Sequence, residues 1–112
     1  MISCLSKSHR INTQKEFSQI YKSNKKWHTH AFVVFFLESD SFNIAFVSSK
    51  KVGNAVQRNR ARRVLRAIIL EKENQLRTGK YVLVAKNNIF ERKHKVLKND
   101  FNYVMKKLNL FK

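Results

Sequence analysis

An uninterrupted apolar run at residues 31–37, AFVVFFL, constrains the fold of this 112-residue chain more than any other feature of its sequence. The run is short and rich in β-branched and aromatic residues, which predicts a strand over residues 31–38. Because side chains alternate along a strand, Phe32, Val34 and Phe36 face one way and the residues between them face the other. Both faces are apolar, so each must be covered by a helix or must bind a flat ligand.

The rest of the chain predicts an α+β fold around this strand. Residues 38–41 predict a turn into a second strand at 42–49, and these two strands would form an antiparallel hairpin. The further predicted elements are helices over residues 14–23, 55–76 and 91–110, a buried strand at 81–85 and a short extra strand near 50–52. The order α-β-β-(β)-α-β-α is typical of a two-layer sandwich with a mixed four-stranded sheet.

Capping residues mark the ends of the predicted helices. Thr13 and Glu16 have the spacing of a capping box, in which the hydroxyl and the carboxylate each satisfy a free backbone amide. Asn54 can cap the second helix, and Gly79 lies just beyond its end. The last helix is amphipathic, because its apolar residues recur every three or four positions.

The net charge of the chain points to a polyanionic partner. The sequence holds 24 lysines and arginines against 7 acidic residues, a formal net charge of +17. Such an excess repels itself in a folded domain and is tolerated mainly when a polyanion neutralises it. We expect a nucleic acid rather than a membrane surface, because no apolar run is long enough to span a bilayer and no signal-peptide core is visible.

Length and composition predict one cytoplasmic domain spanning residues 1–112. A chain of this size can bury a single core, and a hydrophobic content of 43% argues against a disordered tail. Cys4 is the only cysteine in the sequence, so no internal disulfide can form and no cysteine-based zinc site is expected. His28 and His30 alternate before the first strand, but without further ligands we interpret them as exposed side chains.

The second predicted helix has one basic side. On a wheel of about 100° per residue with Val56 at zero, the apolar positions Ala61, Val64, Leu65 and Ile68 fall between roughly 80° and 180°. Between roughly 240° and 340° lie Asn59, Arg62, Arg63 and Arg66, with Arg58 and Arg60 flanking the apolar stripe. A merely solvated face would mix charges of both signs, whereas no acidic residue occurs here between Asp40 and Glu71.

Arginines stacked one turn apart repel each other unless an external anion binds them, and their planar guanidinium groups suit forked contacts to phosphate. Lys50 and Lys51 precede this helix and extend the basic region. A helix-turn-helix motif would need a short partner helix directly upstream, where strands are predicted instead, so RNA is favoured over DNA.

The run Ser49–Arg63, SKKVGNAVQRNRARR, resembles the signature of the bacterial ribonuclease P protein family, S-K-K-x-G-N-A-V-x-R-N-R-x-[KR]-R. The resemblance covers nearly the whole chain, because Arg10-Ile11, the capped first helix with Phe17 and Tyr21, and the strand FVVFF stand at the family's spacing. Ala45, where the family usually has glycine, and Ala67, where an acid often follows the arginine, depart from the pattern.

The resemblance implies a ribosomal protein S5 domain 2-like fold with a left-handed β-α-β crossover. It implies a subunit of the ribonuclease P endoribonuclease that helps an RNA partner remove the 5′ leader from precursor tRNA, with one protein per RNA. The residues that would bind the catalytic RNA are Lys50, Lys51, Arg58, Asn59, Arg60, Arg62, Arg63 and Arg66. Those that would bind the single-stranded leader are Phe17, Tyr21 and Phe35.

Aromatic rings beside a positive groove are a usual platform for single strands, because any base can stack on them. The alternative is that these three rings are simply core residues. The sequence shows no general acid and base pair, so no catalytic residue is predicted in the chain. The resemblance implies Mg²⁺ held by the RNA and no cofactor bound by the protein alone; Asn59 is the one candidate for contacting a hydrated metal ion.

Three other functions fit the charge of the chain and stay open at this point. A ribosomal or RNA-chaperone protein would be equally basic but would lack cleft aromatics. A DNA-binding module would prefer duplex DNA to structured RNA. An autonomous nuclease would cut its substrate without an RNA partner.

Overall fold

The computed structural model describes residues 14–23, 25–91 and 93–111, so the predicted cap Thr13 lies outside the described residues, as do Cys4 and Arg10-Ile11. Within these ranges the elements follow the order α-β-β-β-α-β-α, which confirms the predicted α+β class. The helices are α1 (Gln14–Tyr21), α2 (Ala55–Leu70) and α3 (His94–Lys107). The strands are β1 (Lys25–His28), β2 (Phe32–Leu37), β3 (Phe42–Ser48) and β4 (Gly79–Ala85).

Strand β4 lies between β2 and β3 in a mixed four-stranded sheet of order β1-β2-β4-β3. It pairs antiparallel with β2 and parallel with β3. The predicted hairpin between residues 31–38 and 42–49 is therefore wrong, because the two strands follow each other through the turn at 38–41 without pairing. The turn signal is local, whereas the strand that separates them comes from the far half of the chain.

Gly79 begins β4 at the point where this strand enters between its two neighbours. Its φ is +152°, and a Cβ atom there would overlap Cε1 of Phe36 and lie 3.1 Å from the carbonyl oxygen of Leu37. A side chain would need both an unfavourable backbone conformation and a displaced aromatic ring. Glycine thus allows β4 to begin close against β2.

The observed hairpin joins β1 to β2. The amide of Thr29 donates to the carbonyl of Phe32 at 2.8 Å, and its Oγ1 accepts from the amide of Phe32 at 3.0 Å. The sequence of β1, KKWH, has no apolar alternation, so its pattern did not indicate a strand. The predicted extra strand at residues 50–52 is wrong, since Lys50–Val52 form a 3₁₀ turn and the fourth strand is β1.

Apolar side chains cover both faces of the sheet, as the two-sided pattern of residues 31–37 requires. On one face Phe32, Val34 and Phe36 join the larger core, to which α2 and α3 contribute. On the other face Ile20 of α1 and Val82 of β4 form a smaller cluster, and α1 lies over β2 and β4. We call the second side the α1 face of the sheet.

Asn54 caps α2, as its position in the sequence predicts. Its Oδ1 accepts from the amide of Gln57 at 2.9 Å, and Oε1 of Gln57 accepts from the amide of Asn54 at 3.0 Å, which completes a capping box. Gly53 turns the chain into the helix with a φ of +142°. The helix ends at Leu70, earlier than predicted, because Glu73–Gln75 form a separate 3₁₀ turn.

Candidate nucleic-acid interface

The basic side of α2 is partly or fully exposed. Asn59, Arg60 and Arg63 are exposed, while Arg58, Arg62 and Arg66 are half-buried. Ala61, Leu65, Ile68 and Ile69 are buried on the other side, which confirms the two-sided character of the helix. Among the described residues no arginine of α2 forms an ion pair with a carboxylate, since the observed pairs join His30 to Glu91, Lys80 to Glu16 and Lys98 to Glu71.

Ser48, the last residue of β3, holds the basic side of α2 in place. Its hydroxyl donates to the carbonyl oxygen of Arg58 at 3.1 Å and accepts from Nη1 of Arg62 at 3.0 Å. Nη2 of Arg62 also donates to Oδ1 of Asn59. The guanidinium group is therefore fixed between a strand end and its own helix, which lowers the entropy that it would lose on binding an anion.

Two aromatic rings support other arginines of α2. The guanidinium of Arg66 lies 5.7 Å from the ring centre of Phe46 on β3, and that of Arg60 lies 5.2 Å from the ring centre of Phe90. Within the described part of the chain, the buried Nε of Arg66 has no hydrogen-bond acceptor, so the ring is the contact that orients this side chain. The flat guanidinium groups of both arginines are packed on one side against a ring.

Lys50 and Lys51 extend the basic surface beyond the end of β3. Both are exposed in the 3₁₀ turn that precedes Gly53, while Val52 of the same turn is buried and anchors it. The structure therefore brings the whole predicted catalytic-RNA set to the junction of β3 and α2. We call this set the arginine surface: Lys50, Lys51, Arg58, Asn59, Arg60, Arg62, Arg63 and Arg66.

The three predicted leader-binding rings meet on the α1 face. Phe17 and Tyr21, one helical turn apart, have ring centres 6.1 Å apart with planes inclined by 28°. Tyr21 also contacts Phe35 of β2 edge-on, with ring centres 4.9 Å apart. Phe17 and Phe35 are half-buried against Ile20 and Val82, and Tyr21 is 38% exposed, so the cluster has both a core side and an open side.

Partial burial raises the pKa of the Tyr21 hydroxyl above its ordinary value. Basic groups lie close by: Lys26 pairs with Phe35 across β1 and β2, and Lys80 lies on the same face of β4. Lys80 forms an ion pair of 3.6 Å with Glu16, which ties α1 to the sheet.

Edge strand β3 connects the two surfaces. Phe46 and Ser48 point toward α2 and support the arginine surface, while Ala45 and Val47 lie on the α1 face beside the ring cluster. No pattern in the sequence indicates that Ser48, Phe46 or Phe90 belongs to a site. Their roles depend on contacts between distant segments, and only the arginine-rich helix itself gave a local signal.

Two further observations bear on the kind of site. No group of three or more His, Cys, Asp or Glu side chains in the described ranges is arranged to hold a metal ion. None of the helices in these ranges combines the length and the apolar character needed to cross a membrane.

Comparison with known proteins gives one family. A family model described as Ribonuclease P matches residues 5–109. The chain is 38% identical over 98 residues to the ribonuclease P protein component of Nitratiruptor sp., an alignment that covers 88% of this chain and 90% of that protein. It is 33% identical over 110 residues to the corresponding protein of Syntrophomonas wolfei, with 96% and 92% covered.

Solved structures agree with this comparison. The RNase P protein of Staphylococcus aureus superposes with a TM-score of 0.82 at 26% identity, covering 95% of this chain and 100% of that one. The RNase P protein of Thermotoga maritima superposes with a TM-score of 0.74 at 24% identity, covering 88% of this chain and 96% of that one, and supports the fold alone.

Proposed function

This chain belongs to the bacterial ribonuclease P protein family, and from that membership we propose that it binds the catalytic RNA and the 5′ leader of precursor tRNA. The observation that supports this best is the presence of two separate surfaces of different chemistry on either side of β3. One is a set of arginines without acidic partners among the described residues, and the other is a cluster of half-open aromatic rings.

The arginine surface is proposed to bind the folded catalytic RNA. Guanidinium groups held by Ser48, Phe46 and Phe90 present fixed forks that match phosphate oxygens. Binding would release counterions from the RNA and would relieve the repulsion among arginines stacked on one helix face. A folded RNA offers many closely spaced phosphates, which fits a surface of this density.

The ring cluster is proposed to bind the single-stranded leader. The side chain of Tyr21 is 38% exposed, and the rings of Phe17 and Phe35 both contact it. Stacking on such rings does not depend on base identity, which suits a subunit that meets many leader sequences. Lys26 lies on the same face and would attract the leader phosphates, whereas Lys80 is paired with Glu16.

The hydrolysis itself is proposed to belong to the RNA component and to Mg²⁺ ions that it holds, with no catalytic group supplied by this chain. The two surfaces consist of cations, amides and aromatic rings, which neutralise and position RNA. Asn59 is the one side chain proposed to contact a water of such a metal ion, although its Oδ1 already accepts from Arg62. We propose one protein per catalytic RNA.

Reconstitution tests this function. Purified protein, a ribonuclease P RNA and precursor tRNA, mixed at low Mg²⁺, should give cleavage at the mature 5′ end that neither protein nor RNA alone achieves at that concentration. Cleavage by protein freed of RNA would indicate an autonomous nuclease. Equal stimulation of leaderless and leader-bearing substrates would indicate a general RNA chaperone, and preference for duplex DNA in competition would indicate a DNA-binding module.

A further inference from the structure

An exposed aromatic pair lies at the sheet edge opposite β3 and belongs to neither of the surfaces described above. Trp27 of edge strand β1 is 36% exposed, and Tyr103 of α3 is 51% exposed. Their ring centres are 6.1 Å apart with planes inclined by 66°. Together with His28, Thr29, His30 and Asp100 they line a shallow cavity of about 230 Å³.

This pair is not needed to close the core. The neighbour of Trp27 across the strands, Val34, is already fully buried, and the core side of α3 is filled by Phe101, Val104 and Met105. Burial of two large aromatic rings would stabilise the protein, and exposed rings forgo this stabilisation. An exposed aromatic pair therefore indicates a contact surface.

Two lysines flank the pair. Nζ of Lys107 lies 5.5 Å from the ring centre of Tyr103, and Nζ of Lys25 lies 5.5 Å from the ring centre of Phe36 on the same side of the sheet. Of the lysines of α3, Lys95 and Lys98 line a separate cavity beside Glu71, and the acidic residue of this helix is Asp100. Because Asp100 lines the cavity, the cavity itself repels phosphate, while Lys107 beside Tyr103 and Lys25 on the same side of the sheet attract phosphate.

These charges favour one class of ligand. A base can stack on the rings while its phosphates remain at the rim, and a carboxylate can accept a hydrogen bond from a base amino group. A second copy of this chain is disfavoured because each copy carries a net charge of +17, and two rings provide little of the area that a stable dimer buries.

We propose that Trp27 and Tyr103 form a second stacking site, which takes an unpaired nucleotide of RNA at the β1 edge of the sheet. This inference rests on the proposed function, because its ligand is RNA. The site itself is distinct from both the arginine surface and the ring cluster. RNA bound through β3 and α2 would thus meet a further contact at the opposite edge of the sheet.

The experiment uses the fact that Trp27 is the only tryptophan in the chain, so its fluorescence reports on this site alone. The full chain carrying Tyr21→Ala, which weakens the ring cluster, is titrated with a short unstructured cytidine oligoribonucleotide. We expect saturable quenching of Trp27. Heparin, a polyanion without bases, should bind without comparable quenching.

Matched variants of Tyr103 identify the source of the signal. Tyr103→Ala should weaken the affinity obtained from quenching at least fivefold, the lower limit for losing one base-aromatic contact, while Tyr103→Phe should retain it. The exposure of Tyr103 makes both variants compatible with folding, which a thermal melt verifies. Equal affinities for the two variants would overturn the proposal.

Fluorescence anisotropy of the same oligoribonucleotide, labelled with a dye, measures its binding to any part of the protein. Comparing this binding with the quenching of Trp27 separates the stacking site from the proposed function. Binding to the wild-type chain without quenching of Trp27 would overturn the stacking site and leave the proposed function standing. Failure to bind at all would count against both. A blue shift of Trp27 that appears on raising the protein concentration alone, together with a dimer in sedimentation, would assign the patch to a second copy of the chain.

Discussion

Nη1 of Arg62 donates a hydrogen bond of 3.0 Å to the hydroxyl of Ser48, and this contact joins the arginine surface to the edge strand of the sheet. The same hydroxyl donates to the backbone of Arg58, so one small side chain fixes both the helix and one of its guanidinium groups. The orientation of the basic side is therefore a property of the β3–α2 junction rather than of α2 alone.

Replacing Ser48 with alanine should weaken binding of the catalytic RNA without removing any charge. Loss of a hydrogen bond costs about 1 kcal/mol, so we expect a decrease in affinity of roughly twofold to tenfold and a similar small loss of stability. Filter binding with ribonuclease P RNA measures the affinity. Ser48→Thr keeps the hydroxyl and serves as the control. Wild-type affinity for Ser48→Ala would show that Arg62 needs no positioning.

Replacing Arg62 and Arg66 together with alanine should reduce both the affinity for the catalytic RNA and its dependence on salt. Each lost phosphate contact lowers the slope of log K against log salt by about 0.7 to 0.9, so two lost contacts should lower it by roughly 1.4 to 1.8. Lys72→Ala with Lys95→Ala removes the same charge away from the basic side of α2. Equal slopes for the two double variants would mean that binding follows net charge alone.

Replacing Tyr21 or Phe35 with alanine should weaken binding of substrate only when a leader is present. Base-aromatic stacking contributes about 1–3 kcal/mol, which predicts a loss of roughly fivefold to a hundredfold for precursor tRNA bound to the assembled enzyme. Phe17→Ala should act in the same direction.

Mature tRNA, which has no leader, is the matched ligand for these ring variants and should bind almost unchanged. Each variant also needs a thermal melt, because the rings pack on Ile20 and Val82 and their truncation removes core contacts. Folded variants that keep the wild-type ratio between the two tRNAs would place the leader elsewhere.

Tyr81 should make the stability of the protein sensitive to high pH. Burial raises the pKa of its hydroxyl, which donates to the carbonyl of Arg77 at 2.6 Å. The unfolded chain loses this proton above a pH of about 10, whereas the folded chain keeps it. The stabilisation is therefore complete below that pH and decreases as the pH rises, by up to about 1.4 kcal/mol per pH unit.

Tyr81→Phe isolates this effect from the lysines that also titrate at high pH. We expect the variant to lose about 1 kcal/mol at neutral pH, because the hydrogen bond is missing, and to lose stability less steeply than the wild type above pH 10. Denaturant unfolding across this range provides the free energies of unfolding. Parallel pH curves for the two proteins would show that Tyr81 ionises equally in both states.

Local signals in the sequence predicted most elements of the fold. Asn54 as a cap, the buried stripe of α2 and the two-sided strand at residues 31–37 all depend on neighbours within a few positions, and the structure confirms each of them. The strand order was not predictable in this way. The position of β4 between β2 and β3 depends on contacts between segments far apart in the chain, and the turn at 38–41 fits either arrangement.

The residues of the candidate site also differ in whether a local sequence signal predicts them. Helical periodicity predicts that the arginines share one side of α2. The family resemblance predicts that Phe17, Tyr21 and Phe35 lie together. The supports Ser48, Phe46 and Phe90 were not found, since serine and phenylalanine in those segments look like ordinary strand and loop residues. The same holds for Trp27, which lies in a short polar edge strand that shows no apolar alternation.

The placement of β4 between β2 and β3 also bears on how the chain folds while the ribosome synthesises it. Strands β2 and β3 emerge early, and neither can complete its backbone pairing until β4 has left the exit tunnel. Until then the face of β2 that joins the larger core lacks β4 and α3, and one edge of the strand is unpaired, features that promote association between nascent chains. Because the arginine helix lies between β3 and β4 in the chain, it is synthesised before the sheet that supports it is complete, so a polyanion that arrives early would meet a basic segment that the full sheet does not yet support.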